Sequence, residues 1–370
     1  MVAVLVLNAG SSSLKYRVVE PDGTRHLDGL VERVADSGFP AALEQMTSEL
    51  QRAGVSPRSL SAVGHRVVHG GPEFSDPVVV TDPVLDAIGA LSRFAPLHNP
   101  PAVEGIRAAR RRFPDLPHVA VFDTAFFTAL PAASATYAID ASVAASHGIR
   151  RYGAHGTSYR YVSAAAAAFA ARDLEGLRQI VLHLGNGASC AALRSGRPVD
   201  TSMGLTPLEG LVMGTRGGDI DPGVLLHLLH VGLPVDELDD LLHHRSGLQG
   251  LAGRQDMRDL VSARDAGDPA AQLAYDVYVH RLRKYVGAYL AVLGGADQLV
   301  FTAGVGEHQA SVRADVLNGL SALGLTVDPA LNDRPPEGAR EISVAGASVQ
   351  VLVVPTDEEL EIARQTVALL

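Results

Sequence analysis

Residues 4–16 read VLVLNAGSSSLKY, in which an apolar run stops at a turn of asparagine, glycine and serine and a second run follows. The first run, Val2–Leu7, is short and rich in β-branched residues, which favour strands. The turn covers Asn8–Ser13, and the second run covers Leu14–Val19. The stretch therefore predicts a strand, a polar turn and a second strand.

The same pattern returns near the middle of the chain. An apolar run at Ile180–Leu184 is followed by a turn at Gly185–Ser189 and by further apolar residues at Cys190–Leu193. Aligning the two turns matches three pairs of identical residues: Gly10 with Gly187, Leu7 with Leu184, and Ser12 with Ser189. The repeat is short, but it agrees with the length of 370 residues and the 47% hydrophobic content, which favour two domains.

A long helix is predicted at Asp268–Leu293, because Asp268 suits an N-cap, Pro269 suits the first turn and Gly294 can end it. Its apolar residues predict an inward face made of Leu273, Val277, Leu282, Tyr285, Val286, Tyr289 and Leu293. Further predictions are helices at Tyr159–Arg172 and Val312–Leu323 and buried strands at Leu299–Ala303 and Val349–Val354. Alternating strands and helices predict an α/β fold.

Composition argues against several classes of protein. The formal charge of −10, without a basic block, disfavours a nucleic-acid partner, whose phosphates need neutralising. The single cysteine, Cys190, rules out an intramolecular disulfide and fits a reducing compartment. The apolar start, Met1–Leu7, lacks a basic region and is too short for a signal peptide or a membrane span. We therefore expect a cytoplasmic protein without a membrane partner.

The turn after the first strand can also bind phosphate, since backbone N–H groups, hydroxyls and the charge of Lys15 can hold its oxygens. Lys15 is one of only two lysines among 31 basic residues, and the chain has no Gly-Lys-Ser/Thr sequence of the Walker A type. A simple hairpin explains the stretch equally well. A second glycine turn, Gly304-Val-Gly306, leaves the same two interpretations open, because glycine serves both tight turns and close ligand approach.

Two arginines lie in glycine-rich surroundings, Arg66 within GHRVVHGG and Arg216 within GTRGGD. Two guanidinium groups that converge on one point suit the charge on transferring phosphoryl oxygens. The competing interpretation is that each arginine pairs with a nearby carboxylate, and Asp219 and Asp221 are close to Arg216 along the chain. For either arginine alone, that pairing is the simpler prediction.

Two carboxylates follow apolar runs, Asp123 within VFDTA (121–125) and Glu358 after Val351–Thr356. Such a pair suits a Mg²⁺–phosphate complex, because Mg²⁺ takes few protein ligands and keeps waters. Glu358 can equally stabilise the first turn of a helix that starts at Asp357. Glu359 is expected to face solvent on that helix. No spacing of histidine and cysteine resembles a zinc site.

The sequences of ten segments, and their order along the chain, resemble those of the acetate kinases, which belong to the acetate and sugar kinase/actin superfamily. The resemblance runs over the whole length, and the 24 residues from Asp200 are its most specific part. The segments are VLVLNAGSSSLKY (4–16), GHRVVHGG (64–71), APLHNPPAV (95–103), VFDTAF (121–126), RRYGAHGTS (150–158), HLGNGAS (183–189), DTSMGLTPLEGLVMGTRGGDIDPG (200–223), DMRD (256–259), FTAGVGEH (301–308) and PTDEEL (355–360).

This resemblance implies a two-domain actin-like fold with a duplicated ββαβαβα core and an active site in the cleft between the domains. The implied N-terminal domain covers residues 1–124 together with the C-terminal helix 360–370. The implied C-terminal domain, 125–359, carries most of the nucleotide site. Closure of the domains would exclude water, so that ATP is not lost to hydrolysis. Members of the family are usually homodimers.

The implied activity is the reversible phosphorylation of acetate by ATP, with direct in-line transfer that yields ADP and acetyl phosphate and requires Mg²⁺ or Mn²⁺. By motif position, the catalytic residues are Arg66, Asp123, His155 and Arg216. Asn8 and Glu358 would organise the metal together with Asp123. The nucleotide would contact Lys15, His183, Gly185, Asn186, Gly187, Asp256, Arg258, Gly304, Gly306 and His308. The acyl pocket would be walled by Val68, Leu97, Ala154 and Pro207.

Several positions depart from the family's wording, namely Phe127, Ala154, Tyr159, His308 and Asp357. Ala154 replaces a phenylalanine that helps to wall the acyl pocket, so it bears most directly on substrate choice. His308 replaces an asparagine of the loop near adenine. None of the five removes a residue assigned to metal or phosphoryl chemistry.

Two other functions stay open at this point. One is a kinase for a longer acid, such as propionate or butyrate. The other is a catalytically idle nucleotide-binding switch, since the superfamily also includes actin-like ATPase modules. Retention of Arg66, Asp123, Arg216 and Glu358 argues against the switch, which needs no acyl-phosphate chemistry.

Overall fold

The computed structural model describes residues 2–335 and 337–370, which divide into two compact units. Unit 1 comprises residues 2–128, 154–161 and 357–370, and unit 2 comprises residues 129–153 and 162–356. The described residues form twelve strands: β1 (Ala3–Ala9), β2 (Ser13–Val19), β3 (Arg25–Glu32), β4 (Leu60–Val67), β5 (Val78–Val79), β6 (His118–Phe122), β7 (Arg178–Leu184), β8 (Ala188–Arg194), β9 (Arg197–Thr201), β10 (Gln298–Thr302), β11 (Arg340–Glu341) and β12 (Gln350–Val353).

Fifteen α-helices lie in the same described ranges, and none of them is long and apolar enough to cross a membrane. They are α1 (Val34–Arg52), α2 (Asp82–Ala90), α3 (Asn99–Arg112), α4 (Ala132–Ala135), α5 (Ala141–His147), α6 (Gly156–Phe169), α7 (Pro222–His230), α8 (Val235–His244), α9 (Gly247–Ala252), α10 (Met257–Asp265), α11 (Pro269–Leu293), α12 (Ala303–His308), α13 (Ala310–Leu317), α14 (Pro329–Asn332) and α15 (Glu358–Leu369). A 3₁₀-helix at Asp123–Ala129 follows β6 directly.

The sheet of unit 1 has the strand order β3-β2-β1-β4-β6-β5. β1, β2 and β3 pair antiparallel, β4 and β6 run parallel to β1, and β5 pairs antiparallel with β6. Successive residues of β1 face opposite sides: Leu5 packs with Met46 of α1, and Val4 and Val6 pack with Ile362 of α15. Both faces of β1 are therefore covered, which is why the strand reads as a continuous apolar run.

The sheet of unit 2 repeats that order as β9-β8-β7-β10-β12-β11. β7, β8 and β9 pair antiparallel, β10 and β12 run parallel to β7, and β11 pairs antiparallel with β12. The prediction of an α/β fold with two duplicated domains is confirmed. Each domain begins with three antiparallel strands, whereas the predicted order ββαβαβα begins with two. The aligned turns of the sequence join β1 to β2 and β7 to β8.

The unit boundaries differ from the predicted boundaries at 124/125 and 359/360. Residues 154–161 and 357–359 belong to unit 1, and so do residues 125–128. Two contacts give the physical reason. Thr157 donates a hydrogen bond of 2.9 Å to Asp123, and Arg25 forms an ion pair of 2.6 Å with Asp357.

The predicted long helix is confirmed as α11, with Asp268 as N-cap and Gly294 in the left-handed conformation after its end. Its predicted inward face is wrong in the first half. Leu273 is 58% exposed, whereas Ala274, Tyr275 and Tyr278 are buried. α11 packs against α9 and α10. The other predicted helices begin two or three residues earlier than expected, as α6 and α13 do, and end earlier as well.

Two buried histidines connect β4 and β6. Nε2 of His65 lies 2.9 Å from Nδ1 of His118, whose Nε2 lies 3.1 Å from the carbonyl oxygen of Phe113. Since a carbonyl only accepts, His118 is protonated on Nε2, its Nδ1 accepts, and His65 donates. This arrangement fits two neutral rings. Burial lowers the pKa of both histidines, and the positive charge of Arg110 lowers each further.

We expect this pair to make the protein less stable in mild acid. Below about pH 6.5 the unfolded chain binds protons that the buried rings do not, so the free energy of unfolding falls as the pH falls. The slope approaches about 1.4 kcal/mol per pH unit for each histidine. Urea unfolding between pH 5 and 8 measures it. His118→Gln should reduce the slope by one histidine's share, whereas His230→Gln, at an exposed position of α7, should leave it unchanged. An equal slope in wild type and His118→Gln would contradict the assignment.

Candidate functional site

The first candidate site, in unit 1, is centred on Arg66 of β4. Its Nε and Nη2 lie 3.1 and 2.7 Å from Oδ2 of Asp123, and its Nη1 lies 3.6 Å from Oε2 of Glu358. The arginine side chain is 18% exposed, and that of Asp123 is 1% exposed. Burial, which lowers the pKa of Arg66, is outweighed by Asp123 and Glu358, which raise it. Arg66 is thus paired with carboxylates, but they are distant along the chain, whereas the alternative interpretation expected a local one.

Asp123 directly follows β6, at the start of the 3₁₀-helix. Thr157 donates 2.9 Å to its Oδ1, so both carboxylate oxygens have a partner. α6 begins close to this point, because a Cβ at Gly156 would lie 2.0 Å from the carbonyl oxygen of Asp123. Only glycine permits that approach. The start of α6 therefore fixes the position of the carboxylate.

Glu358 is the first residue of α15, and the preceding Asp357 is the N-cap that accepts from the N–H of Leu360. Asp357 is itself held by Arg17 and Arg25. The N-cap position is thus filled without Glu358, whose carboxylate faces Arg66. Burial raises the pKa of Glu358, Arg66 opposes that rise, and the charge of Asp123 adds to it. Two carboxylates and one guanidinium leave a net negative charge, which suits a cation.

The position of α15 explains how Glu358 comes to lie near Arg66. A Cβ at Gly64 of β4 would lie 2.7 Å from Oγ1 of Thr366 and 2.9 Å from Cγ2 of Ile362. The helix therefore lies directly on β4, two residues away from Arg66 along the strand. Asn8, the third residue predicted at the metal, is half-buried near the end of β1. Among the described residues, no group of three or more histidine, cysteine or acidic side chains could hold a metal.

The turn at Asn8–Ser13 is a hairpin connection, in which the N–H of Gly10 donates 2.8 Å to the carbonyl oxygen of Ser13. Lys15, predicted to bind nucleotide, forms an ion pair of 2.6 Å with Glu359. The expectation that Glu359 faces solvent is wrong, since its side chain is 6% exposed. Burial raises the pKa of Glu359, and Lys15 and Arg17 more than offset that rise, so the pKa is lowered.

Arg216, in unit 2, differs from Arg66 in having no carboxylate partner within the described residues. Its Nη1 donates 2.8 Å to the carbonyl oxygen of Pro207. Asp219 instead accepts from Tyr285 and faces Arg281, and Asp221 is the N-cap of α7. Burial lowers the pKa of Arg216 to about 10, so the group stays charged at neutral pH without a counter-ion. Such a cation is suited to bind an anion.

The second candidate site is a cavity of about 360 Å³ in unit 2. Six residues predicted to contact nucleotide line it together, namely Gly185, Asn186, Asp256, Arg258, Gly304 and His308. Others in its wall are Gly214, Leu248, Met257, Tyr278 and Val305. Three predicted nucleotide residues of the same unit, His183, Gly187 and Gly306, are outside this lining. The cavity size suits a small ligand with an apolar and a polar part.

The polar wall of the cavity is built from short-range contacts. Asp256 is the N-cap of α10, and Arg258 forms a two-point ion pair with it, 2.6 Å at the shorter contact. Hydrogen bonds from Arg258 lower the pKa of Asp256 to about 2. Across the cavity, a Cβ at Gly214 would lie 2.1 Å from Oδ1 of Asn186, so glycine leaves room for the amide. The segment Gly304–Gly306 was predicted as a turn, and it is part of the short helix α12.

The residues predicted to wall the acyl pocket lie in both units. In unit 1, Asn99 accepts 3.1 Å from the N–H of His69 and donates 3.0 Å to its carbonyl oxygen. These bonds join the segments that contain Leu97 and Val68. Ala154 is buried and Leu97 is 40% exposed. Of the two predicted histidines, His155 is half-buried in unit 1 with φ 60°, and His183 is buried on β7 of unit 2.

Several residues with a place in these sites were not predicted, among them Thr157 and Tyr278. Thr157 donates a hydrogen bond to Asp123. Its position in the segment RRYGAHGTS (150–158), two residues after His155, could have indicated a place in the site. Tyr278 lines the cavity of unit 2. The apolar periodicity of α11 indicates Val277 instead, so it does not single out Tyr278.

Comparison with known proteins identifies the family of the chain. Residues 34–364 match the family model described as the acetokinase family. An acetate kinase from Porphyromonas gingivalis is 40% identical, with 100% of this chain and 99% of that chain covered and a TM-score of 0.93. A propionate kinase from Francisella tularensis subsp. tularensis SCHU S4 is 39% identical, with 99% of each chain covered and a TM-score of 0.93. An acetate kinase from Entamoeba histolytica is 32% identical, with 98% of each chain covered and a TM-score of 0.87. The chain therefore belongs to the acetokinase family and is a kinase of short-chain carboxylic acids.

Proposed function

We propose that the protein transfers the γ-phosphoryl group of ATP directly and reversibly to acetate, and that it also accepts propionate. The observation that carries the proposal is Arg216, a charged guanidinium without a carboxylate partner among the described residues. Both the carboxylate acceptor and the phosphoryl group are anions that such a group binds. Arg216 and Arg66 belong to different units, so the proposal requires that both reach the same phosphoryl group.

The chemistry needs little from the protein beyond position and charge. A carboxylate oxygen of the acid attacks the γ-phosphorus, the bond from that phosphorus to the bridging oxygen breaks, and ADP leaves with the electron pair. The nucleophile is already ionised, so no strong general base is required. Arg216 and Arg66 would neutralise the charge that spreads over the phosphoryl oxygens. The cavity at Asn186 and Asp256 would hold the nucleotide.

We further propose that Asp123, Glu358 and Asn8 hold Mg²⁺. The donor set fits, since the buried Asp123 and the half-buried Glu358 share one guanidinium and, when both are ionised, carry one negative charge more than it balances. A bound Mg²⁺ ion would neutralise phosphate oxygens. Arg66 would keep both carboxylates oriented, and Thr157 would fix Asp123. The homodimer and the cytoplasmic location stay predictions.

Hydroxylamine trapping tests the proposed activity. It converts an acyl phosphate into a hydroxamate, which is measured with ATP and a series of acids from acetate to butyrate. We expect hydroxamate with acetate and propionate. Binding of ATP without hydroxamate from any acid would instead favour the idle nucleotide switch.

A kinase that prefers propionate is the second candidate, and the buried Ala154 favours it. Loss of a phenylalanine wall opens more volume than a methylene needs, and each buried methylene is worth about 0.8 kcal/mol. Phe127 and Tyr159 are buried with their rings 5.7 Å apart in edge contact, which argues against either ring moving into the space.

We therefore expect Ala154→Phe to shift the ratio of kcat/KM for acetate over propionate toward acetate by about 10-fold or more. Steady-state kinetics with acetate, propionate and butyrate measures the shift. Ala168→Phe, at an exposed position of α6, is the matched control and should leave the ratio unchanged. A ratio that Ala154→Phe does not move would show that residue 154 does not wall the acyl pocket.

A further inference from the structure

Residues 202–221, all within the described ranges, connect β9 to α7 without regular secondary structure, and they include both Pro207 and Arg216. A connection of this length without secondary structure is uncommon in a compact domain and is often part of a functional site. Nη1 of Arg216 donates 2.8 Å to the carbonyl oxygen of Pro207. The position of the guanidinium therefore depends on the contacts that fix Pro207.

The hydroxyl of Tyr137 joins the chain on both sides of Pro207. It accepts 3.0 Å from the N–H of Leu205, two residues before the proline, and it donates to the carboxylate of Glu209, two residues after it. Burial and the bond to Glu209 raise the pKa of Tyr137, so the hydroxyl stays protonated and can donate at neutral pH. One side chain thus closes the short arc from residue 205 to residue 209.

Arg151 holds the same carboxylate from a second direction. Its Nη2 forms an ion pair of 2.6 Å with Glu209, and its Nη1 donates 3.1 to 3.3 Å to the carbonyl oxygens of residues 201–203. Its guanidinium lies over the ring of Tyr137, 5.4 Å from the ring centroid. A Cβ at Gly204 would lie 1.9 Å from both Oε2 of Glu209 and the Tyr137 hydroxyl, so only glycine permits the backbone to approach them.

The nucleotide cavity is attached to this connection by different contacts. Gly214 is the member of its lining that belongs to residues 202–221. The N–H of Gly214 donates 3.0 Å to the carbonyl oxygen of Asn186, and its carbonyl oxygen accepts 2.8 Å from the N–H of Gln249. A change at Tyr137 is therefore expected to displace Pro207 without disturbing the cavity.

We propose that Tyr137 is a positioning residue for phosphoryl transfer: by joining Leu205 to Glu209 it fixes the Pro207 carbonyl, and through that carbonyl it fixes the Arg216 guanidinium. This inference rests on the proposed function, in which Arg216 acts on the transferring phosphoryl group. Tyr137 touches neither the acid nor the nucleotide in this role.

Tyr137→Phe tests the proposal, because it removes one oxygen and keeps the ring that lies beside Arg151. In the hydroxamate assay, kcat with acetate should fall about 10-fold, since a displacement of about 1 Å at a reacting group can cost about 100-fold. The Kd for ADP, measured by isothermal titration, should stay the same. In a protein that already carries Arg216→Ala, Tyr137→Phe should lower kcat by less than about a further twofold.

Tyr275→Phe is the matched control. Its hydroxyl donates 2.6 Å to Asp315 in the same unit, so this variant loses a similar bond outside residues 202–221. Its Tm should fall and its kcat should equal that of wild type. Glu209→Gln is a second test variant, which removes the charge that Arg151 pairs with. It should lower kcat in the wild-type protein and not in the Arg216→Ala protein, so the test does not depend on one variant folding.

Three results would overturn the inference. A wild-type kcat in Tyr137→Phe and Glu209→Gln would show that the contacts around Pro207 do not affect transfer. Equal losses with and without Arg216 would show that Tyr137 does not act through that arginine. A weaker affinity for ADP at an unchanged kcat would show that it supports the nucleotide cavity instead. A wild-type protein that forms no hydroxamate would remove the proposed function itself, so the two failures are distinguishable.

Discussion

Replacing Arg66 or Arg216 with alanine is expected to lower turnover about 100- to 1,000-fold, with little change in nucleotide affinity. Each variant loses one positively charged donor to the phosphoryl group, and such a loss typically costs about 3–4 kcal/mol of transition-state stabilisation. Lysine should restore only part of the activity, because its point charge cannot replace a planar fork. Steady-state kinetics and ADP titration measure the two quantities separately.

The two alanine variants should differ in stability, although they are alike in activity. Arg66→Ala leaves Asp123 buried without its cation, and breaking such a pair costs about 3–5 kcal/mol. Arg216→Ala removes a charge that no described carboxylate compensates, so its melting temperature should not fall. Near-normal turnover in either variant would refute the assignment of that arginine. Equal melting temperatures would refute the contrast in pairing.

The second prediction concerns the variants Asp123→Asn and Glu358→Gln. Both are expected to require more Mg²⁺ and to turn over at least about 100-fold more slowly. Each substitution keeps the shape of the side chain and removes a charge that would attract the cation. Mg²⁺ titration of the initial rate measures the effect. Glu359→Gln is unsuitable as a control, because Glu359 is buried and paired with Lys15. Glu104→Gln, on the exposed face of α3, is the appropriate one and should behave as wild type.

Thermal melts decide between the two roles considered for Glu358. A metal role predicts that the ligand-free variant melts near the wild-type temperature or above it, since burial already disfavours the charge of Glu358. A helix-start role predicts a lower melting temperature with an unchanged Mg²⁺ requirement. The second outcome would remove Glu358 from the metal site.

The strands β1, β2, β7, β8, β10 and β12 were predictable because buried strands read as apolar runs, and because the glycine turns repeat at matching positions. The order of strands within each sheet and the third antiparallel strands, β3 and β9, were not. The partners of charged residues were not predictable either. Arg66 and Arg216 stand in similar surroundings in the sequence, yet one is paired with two carboxylates and the other with none of the described ones. Pairing depends on side chains that are distant along the chain, such as Glu358 and Arg66. The local spacing of residues does not indicate which of them pair.

Helix faces were predictable only where apolar and polar residues alternate clearly. The first half of α11 contains alanines and tyrosines, which can face inward or outward, so Leu273 was assigned to the wrong side. The same ambiguity hid Tyr278. Lys15 was misleading for a different reason: rarity marked it as important, but rarity does not distinguish an ion pair with Glu359 from a phosphate contact.

The return of the chain to unit 1 has a consequence for synthesis on the ribosome. β1, β4 and β6 are made early, but α15, which covers the face formed by Val4, Val6 and Val121, begins 236 residues after the end of β6. At about 5–20 residues per second, that face stays uncovered for roughly 12–47 s while unit 2 is translated. Nascent chains therefore present a hydrophobic sheet face that chaperones can bind, and Glu358 reaches Arg66 only after unit 2 has been translated.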